Sequence, residues 1–147
     1  KIGMQKGEGL LLECLTVLQR KKPIIAFITE GTGILEMNRV LREVICPKYN
    51  LHKTRPFMGQ SRVTVDEFWS RLSEFLHGQN PSTAIVSYEN WKHSHWTVAR
   101  EITTKQILLF DSWHRKQINR QYCTTNKLSH QKSIFLDPTA TFFLEKN

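Results

Sequence analysis

Two ionisable residues stand where short apolar runs begin and end. His95 opens His-Trp-Thr-Val-Ala-Arg-Glu-Ile, and Asp111 closes Gln-Ile-Leu-Leu-Phe. In an antiparallel hairpin the start of one strand lies beside the end of the next, so an imidazole and a carboxylate at these positions meet at one rim. A carboxylate there fixes the tautomer and orientation of the imidazole, which is what a general base requires. His93, His95 and His114 gather near the same rim in sequence. Two imidazoles on a basic surface suit acid/base cleavage of RNA. His93 and His95, at i and i+2 on a strand, also form a conceivable metal pair, with Asp111 as the third ligand. Each feature has a plainer reading as well. His-Trp at a strand start is a common packing pair, and Asp-Ser after a strand is an ordinary turn starter.

These residues need a frame to hold them. Three consecutive strands are expected over 84–88, 95–102 and 106–110, with Thr104-Lys105 as a tight reversal. Ahead of them, Gly9–Arg20 reads as a helix burying Leu11, Cys14, Leu15 and Leu18, stopped by Lys21-Lys22-Pro23. Ile24–Ile28 reads as a short strand or extended run. A second helix is expected over Ile34–Ile45, closed by Cys46-Pro47. Leu51–Phe57 is expected to be extended. Thr64 caps a third helix, with Glu67 completing a Thr-x-x-Glu capping box and Phe68, Leu72, Phe75 and Leu76 as its buried stripe. After the meander, strands are expected over Gln117–Tyr122, Ser133–Leu136 and Thr139–Leu144, with Asp137-Pro138 as a turn. Helices first and an antiparallel sheet afterwards make an α+β domain.

The totals fit one folded domain of 147 residues, with 39% hydrophobic residues and enough aromatic side chains for a core. Lys plus Arg number 21 against 13 Asp plus Glu, a net charge of +8. That balance suits an acidic partner, either a protein or nucleic acid, although the cations are scattered rather than gathered in an Arg-rich run. Three cysteines at no metal-like spacing imply neither a disulfide framework nor a zinc site. A reducing, cytoplasmic setting is expected, with delivery as a secreted effector the alternative. No run reaches the roughly 18 apolar residues of a membrane span. The chain opens on Lys1 with no signal peptide in view, which reads as a fragment or a processed chain. No cofactor is implied.

A helical first half, a strand opening His95-Trp96-Thr97-Val98 and a hairpin strand ending Leu109-Phe110-Asp111-Ser112 together resemble the papain-like cysteine peptidase superfamily. The resemblance is specifically to the peptidases that process bacteriocin leader peptides and their bacterial relatives, and it covers roughly residues 80–145. It implies N-terminal helices packed on a twisted antiparallel sheet, a peptide or protein substrate, His95 as base and Asp111 as orienting acid. The family nucleophile is a Cys at a helix start, where the dipole stabilises the thiolate. The matching stretch here, Gln5-Lys6-Gly7-Glu8-Gly9-Leu10, has Glu8 in the Cys place, and Thr29-Glu30-Gly31 again offers Glu. Of the cysteines present, Cys14 is the candidate nucleophile, although a Cys on an apolar helix face is more often a small core residue than a nucleophile. Cys46 is expected at a helix C-terminus, where the dipole disfavours thiolate, and Cys123 follows His95 and Asp111 in chain order.

The expectation is therefore a papain-like cysteine-peptidase-type domain with His95, Asp111 and Cys14 at its site, or a degenerate form without peptidase activity. A small basic bacterial toxin or effector domain, acting on nucleic acid or held by an acidic partner, is the second expectation. A non-catalytic interaction module is the third.

Overall fold

The computed structural model describes residues 4–90, 93–128 and 134–147. The expected α+β class is present, with 37% helix, 33% strand and a largely antiparallel sheet. The length predicts one domain. The contacts divide the chain into two compact units, one ending at Leu51 and including Asn147, the other His52–Lys146.

The N-terminal unit is helical: α1 (Met4–Gln19), α2 (Ile24–Glu30), α3 (Ile34–Val40) and α4 (Cys46–Tyr49). It has a core of its own, in which Val17, Leu18, Phe27, Val40 and Val44 are buried together. The strand expected over Ile24–Ile28 is instead a helix. A five-residue apolar run does not separate strand from helix by pattern alone. Pro23 precedes α2 and accepts from the Ala26 N–H at 3.0 Å. Only one turn face is needed inside: Phe27 is buried while Ile25 is 63% exposed.

The second expected helix does not close at Cys46-Pro47. Between α3 and α4, residues Leu41–Ile45 wind as a π-helix, with the Cys46 N–H reaching Leu41 O. Pro47 has no N–H to give and its ring crowds the carbonyl one turn back. Widening the preceding turn lets the helix run past it, so it ends at Tyr49, where Asn50 takes a left-handed conformation at φ 52°.

The second unit holds the sheet. Its strands are β1 (Leu51–Thr54), β2 (Ser82–Glu89), β3 (Ser94–Ile102), β4 (Gln106–Phe110), β5 (Gln117–Asn119), β6 (Cys123–Thr124) and β7 (Ile134–Lys146). They lie in the order β1-β7-β2-β3-β4-β5, with β6 pairing β7 off that path. The β6–β7 pair is parallel, and the pairs β7–β2, β2–β3, β3–β4 and β4–β5 are antiparallel. The two strands expected at 133–136 and 139–144 are one. The Asp137-Pro138 turn survives as a bulge within β7, where the Asp137 carboxylate accepts from the Thr139 and Ala140 N–H groups. Ser133 lies outside the described residues. The strand expected over 117–122 stops at Asn119 and continues as a short 3-10 turn, Arg120–Tyr122.

One helix, α5 (Val65–Leu76), packs on this sheet. Thr64 caps it as expected, its hydroxyl accepting from the Glu67 N–H at 3.1 Å. Phe68, Trp69 and Leu72 are buried with Val86, Tyr88, Ala99, Ile107 and Leu136 from the strands. Phe57 stacks on Phe68 with ring centroids 5.1 Å apart. The α5 face is thus fixed by aromatic packing, and it is the same sheet face that carries the site.

Candidate functional site

The hairpin register builds the site. Tyr88 on β2 lies opposite His95 on β3, and Val86 opposite Thr97, so Tyr88 and His95 share one face. Leu109 on β4 lies opposite Ala99, which puts Asp111, two residues on, at the same rim. The Thr97 hydroxyl donates to Phe110 O at 3.1 Å and secures the end of β4.

His95 Nε2 stands 3.3 Å from Asp111 Oδ2, with the carboxylate side chain wholly buried and the imidazole 11% exposed. The contact is close, but Nε2 is not in hydrogen-bond alignment with any acceptor. It is a close approach that falls short of a hydrogen bond. With Nε2 directed to the carboxylate, Nδ1 is the nitrogen left for proton transfer.

Asp111 is held from two other sides. Its Oδ1 accepts the Trp113 N–H at 2.6 Å, and its Oδ2 accepts the Tyr88 hydroxyl at 3.3 Å. The first bond is the ordinary Asx turn expected of Asp-Ser, here tied to the site. It folds the chain back so that the Trp113 ring stacks on His95, centroids 4.3 Å apart and 20° from parallel. His93 meets the same indole edge-on at 5.3 Å, and Tyr88 meets His95 edge-on at 5.6 Å. His114 takes φ 63° in the turn that follows. The Tyr88 hydroxyl is pushed to a higher pKa, first by burial and then by the Asp111 charge, with Arg115 opposing both.

The sequence pattern therefore brings His95 and Asp111 together. It does not single out Tyr88, Trp113 or Arg115. A register argument gives Tyr88, as the residue cross-strand from His95, and an Asx turn gives Trp113, two residues past Asp111. His93 precedes β3 rather than lying on it, so the i,i+2 strand geometry proposed for a metal pair is absent. Among the described residues no group of three or more His, Cys, Asp or Glu side chains is arranged to hold a metal ion.

The cysteines occupy less reactive places. Cys14 lies within α1 in the N-terminal unit, packed against that unit's core. Its thiol pKa is raised, first by burial and then by the Glu13 charge, with Lys48 opposing. Cys46 is half-buried in the last turn of the helix that ends at Tyr49, near a C-terminus as expected. Cys123 is buried, and its thiol donates to Asn119 O at 3.3 Å. The stretch Gln5–Leu10 falls inside α1, which starts at Met4, so Glu8 is not at a helix start. Glu30 is the last residue of α2.

Comparison with protein-family models, curated proteins and solved structures yields no match. Among the described residues no helix is long and apolar enough to cross a membrane.

Proposed function

We propose that the second unit is a papain-like peptide-recognition domain of hydrolase type, with His95 as its base and Asp111 as the acid that orients it. The observation carrying this reading is the 3.3 Å approach of His95 Nε2 to a fully buried Asp111 carboxylate at the rim of adjacent antiparallel strands. A buried carboxylate is costly unless it is paired and hydrogen-bonded. Here its partners are an imidazole, a backbone N–H and a phenol, which is the arrangement that fixes a base rather than one that fills a core.

Cys14, the candidate nucleophile, belongs to the N-terminal unit, and its surroundings favour thiol over thiolate. Peptide binding without cleavage is therefore the better-supported form of the proposal.

The experiment compares wild type, His95→Ala and Cys14→Ser on one quenched pentapeptide pool, reading cleavage by fluorescence gain and binding by anisotropy. Binding that weakens in His95→Ala, with no cleavage by wild type, supports the degenerate form. Cleavage abolished by His95→Ala supports an active hydrolase. Wild type and His95→Ala behaving alike in both assays overturns the proposal.

A further inference from the structure

The geometry points to Arg115 as a specificity-determining residue that takes a carboxylate of an acidic peptide beside the His95–Asp111 pair. This rests on the reading of that pair as a peptide site, and it adds the chemistry of what the site selects.

Arg115 lies one ring away from the dyad. Its guanidinium carbon sits 5.2 Å from the Tyr88 ring centroid, and the Tyr88 ring meets His95 at 5.6 Å. Its Nε donates to Gln117 O at 3.2 Å and its guanidinium also hydrogen-bonds the Tyr88 hydroxyl, which anchors the group beside the dyad. No described carboxylate forms an ion pair with it. Among the described residues the rim has no spare acid to satisfy it from within. Asp111 is wholly buried and held by three groups, and Glu89 is paired with Lys127 at 2.9 Å.

An arginine with no carboxylate partner among the described residues, held beside a candidate site, offers its remaining N–H groups to the planar geometry of a carboxylate. Phosphate fits the same fork. A nucleic-acid strand, however, needs a train of cations spaced along its backbone, and the cations of this chain are scattered. One anchored fork suits one carboxylate. Beside it, Trp113 is 53% exposed even though it stacks on His95, so its outer edge and face remain open to an apolar neighbour of the acidic residue. Arg115 also covers the Tyr88 ring with its guanidinium and bonds its hydroxyl, a packing role distinct from ligand selection. The test separates the two roles.

Two fluorescein-labelled pentapeptide pools are used, identical except for Glu or Gln fixed at the centre, and anisotropy is read with the full chain. Wild type is expected to bind the Glu pool about ten-fold more tightly than the Gln pool. Arg115→Met keeps an apolar cover over Tyr88 and is expected to bring the two pools within about two-fold. Arg115→Lys is expected to retain part of the preference. A wild type without preference, or Arg115→Met with the preference intact, overturns the assignment. So does a random oligonucleotide that displaces the Glu pool at lower concentration than unlabelled Glu peptide in an Arg115-dependent way, because the ligand class is then wrong. A failure of the peptide-site reading itself appears instead in His95→Ala, which then binds both pools as wild type does.

Discussion

Tyr88 and His95 face each other across two antiparallel strands and reach the same oxygen: each approaches Asp111 Oδ2 at 3.3 Å. The phenol donates a hydrogen bond to it, while the imidazole is in contact but out of alignment. Asp111 is thus the hub of the rim. Asp111→Ala leaves the Trp113 N–H and the Tyr88 hydroxyl without their acceptor. We expect a loss of about 2 kcal/mol or more, with Asp111→Asn losing less because one acceptor oxygen remains. Urea unfolding of the two variants checks this, and Asp111→Ala as stable as wild type would refute it.

Tyr88 gives a pH signature. Its pKa is raised in the fold by burial and by Asp111, so the folded chain keeps the phenol proton at a pH where the unfolded chain has lost it. The stability from this group is complete below the unfolded tyrosine value, about 10, and is lost as pH rises through the folded one. Tyr88→Phe is expected to flatten that alkaline decline. Thermal unfolding between neutral and alkaline pH measures it; parallel declines in both proteins count against it.

Cys14 should be slow to alkylate. A thiol whose pKa is raised by burial and a neighbouring carboxylate holds little thiolate near neutral pH. Iodoacetamide labelling, followed by mass spectrometry, is expected to run slower at Cys14 than at a free thiol peptide and to accelerate only in alkaline buffer. Fast labelling near neutral pH would instead restore Cys14 as an activated nucleophile.

Thr64 makes a local test of α5. Its hydroxyl satisfies the Glu67 N–H at 3.1 Å, so Thr64→Ala is expected to cost about 1 kcal/mol, and Thr64→Ser much less. A chemical denaturation midpoint unmoved by the alanine would mean that the cap contributes nothing here.

Much of the second unit is legible in the sequence, because its signals are local. A short apolar run marks β2, β-branched and aromatic residues mark β3, a capping box marks α5, and a histidine at one strand start and an aspartate at the next strand end place a rim. The missed features depend on what lies elsewhere in the chain. Ile24–Ile28 is a helix because Phe27 has a helical core to enter, which the run itself does not reveal. Pro47 looks like a stop, yet a π-turn carries the helix past it. Asp137-Pro138 looks like the end of a strand, yet the carboxylate closes a bulge and β7 continues to Lys146. At the site, His95 and Asp111 stand out by type. Tyr88 and Arg115 read as core and surface until the strands are paired.

The place of β7 in the sheet sets an order of assembly. The β2–β3–β4 meander can pair as soon as it is synthesised, because its contacts are short in sequence. Strand β7 comes after all of them, yet it lies between β1 and β2. Until it arrives, β1 has no neighbour in the sheet and β2 presents an open edge beside the buried face. Closing that gap joins segments about 80 residues apart in the chain, the kind of long loop closure that slows folding. A ribosome-bound chain lacking β7 would therefore hold the rim of the site on a half-built sheet with one sticky edge, the state in which such a chain needs a chaperone most.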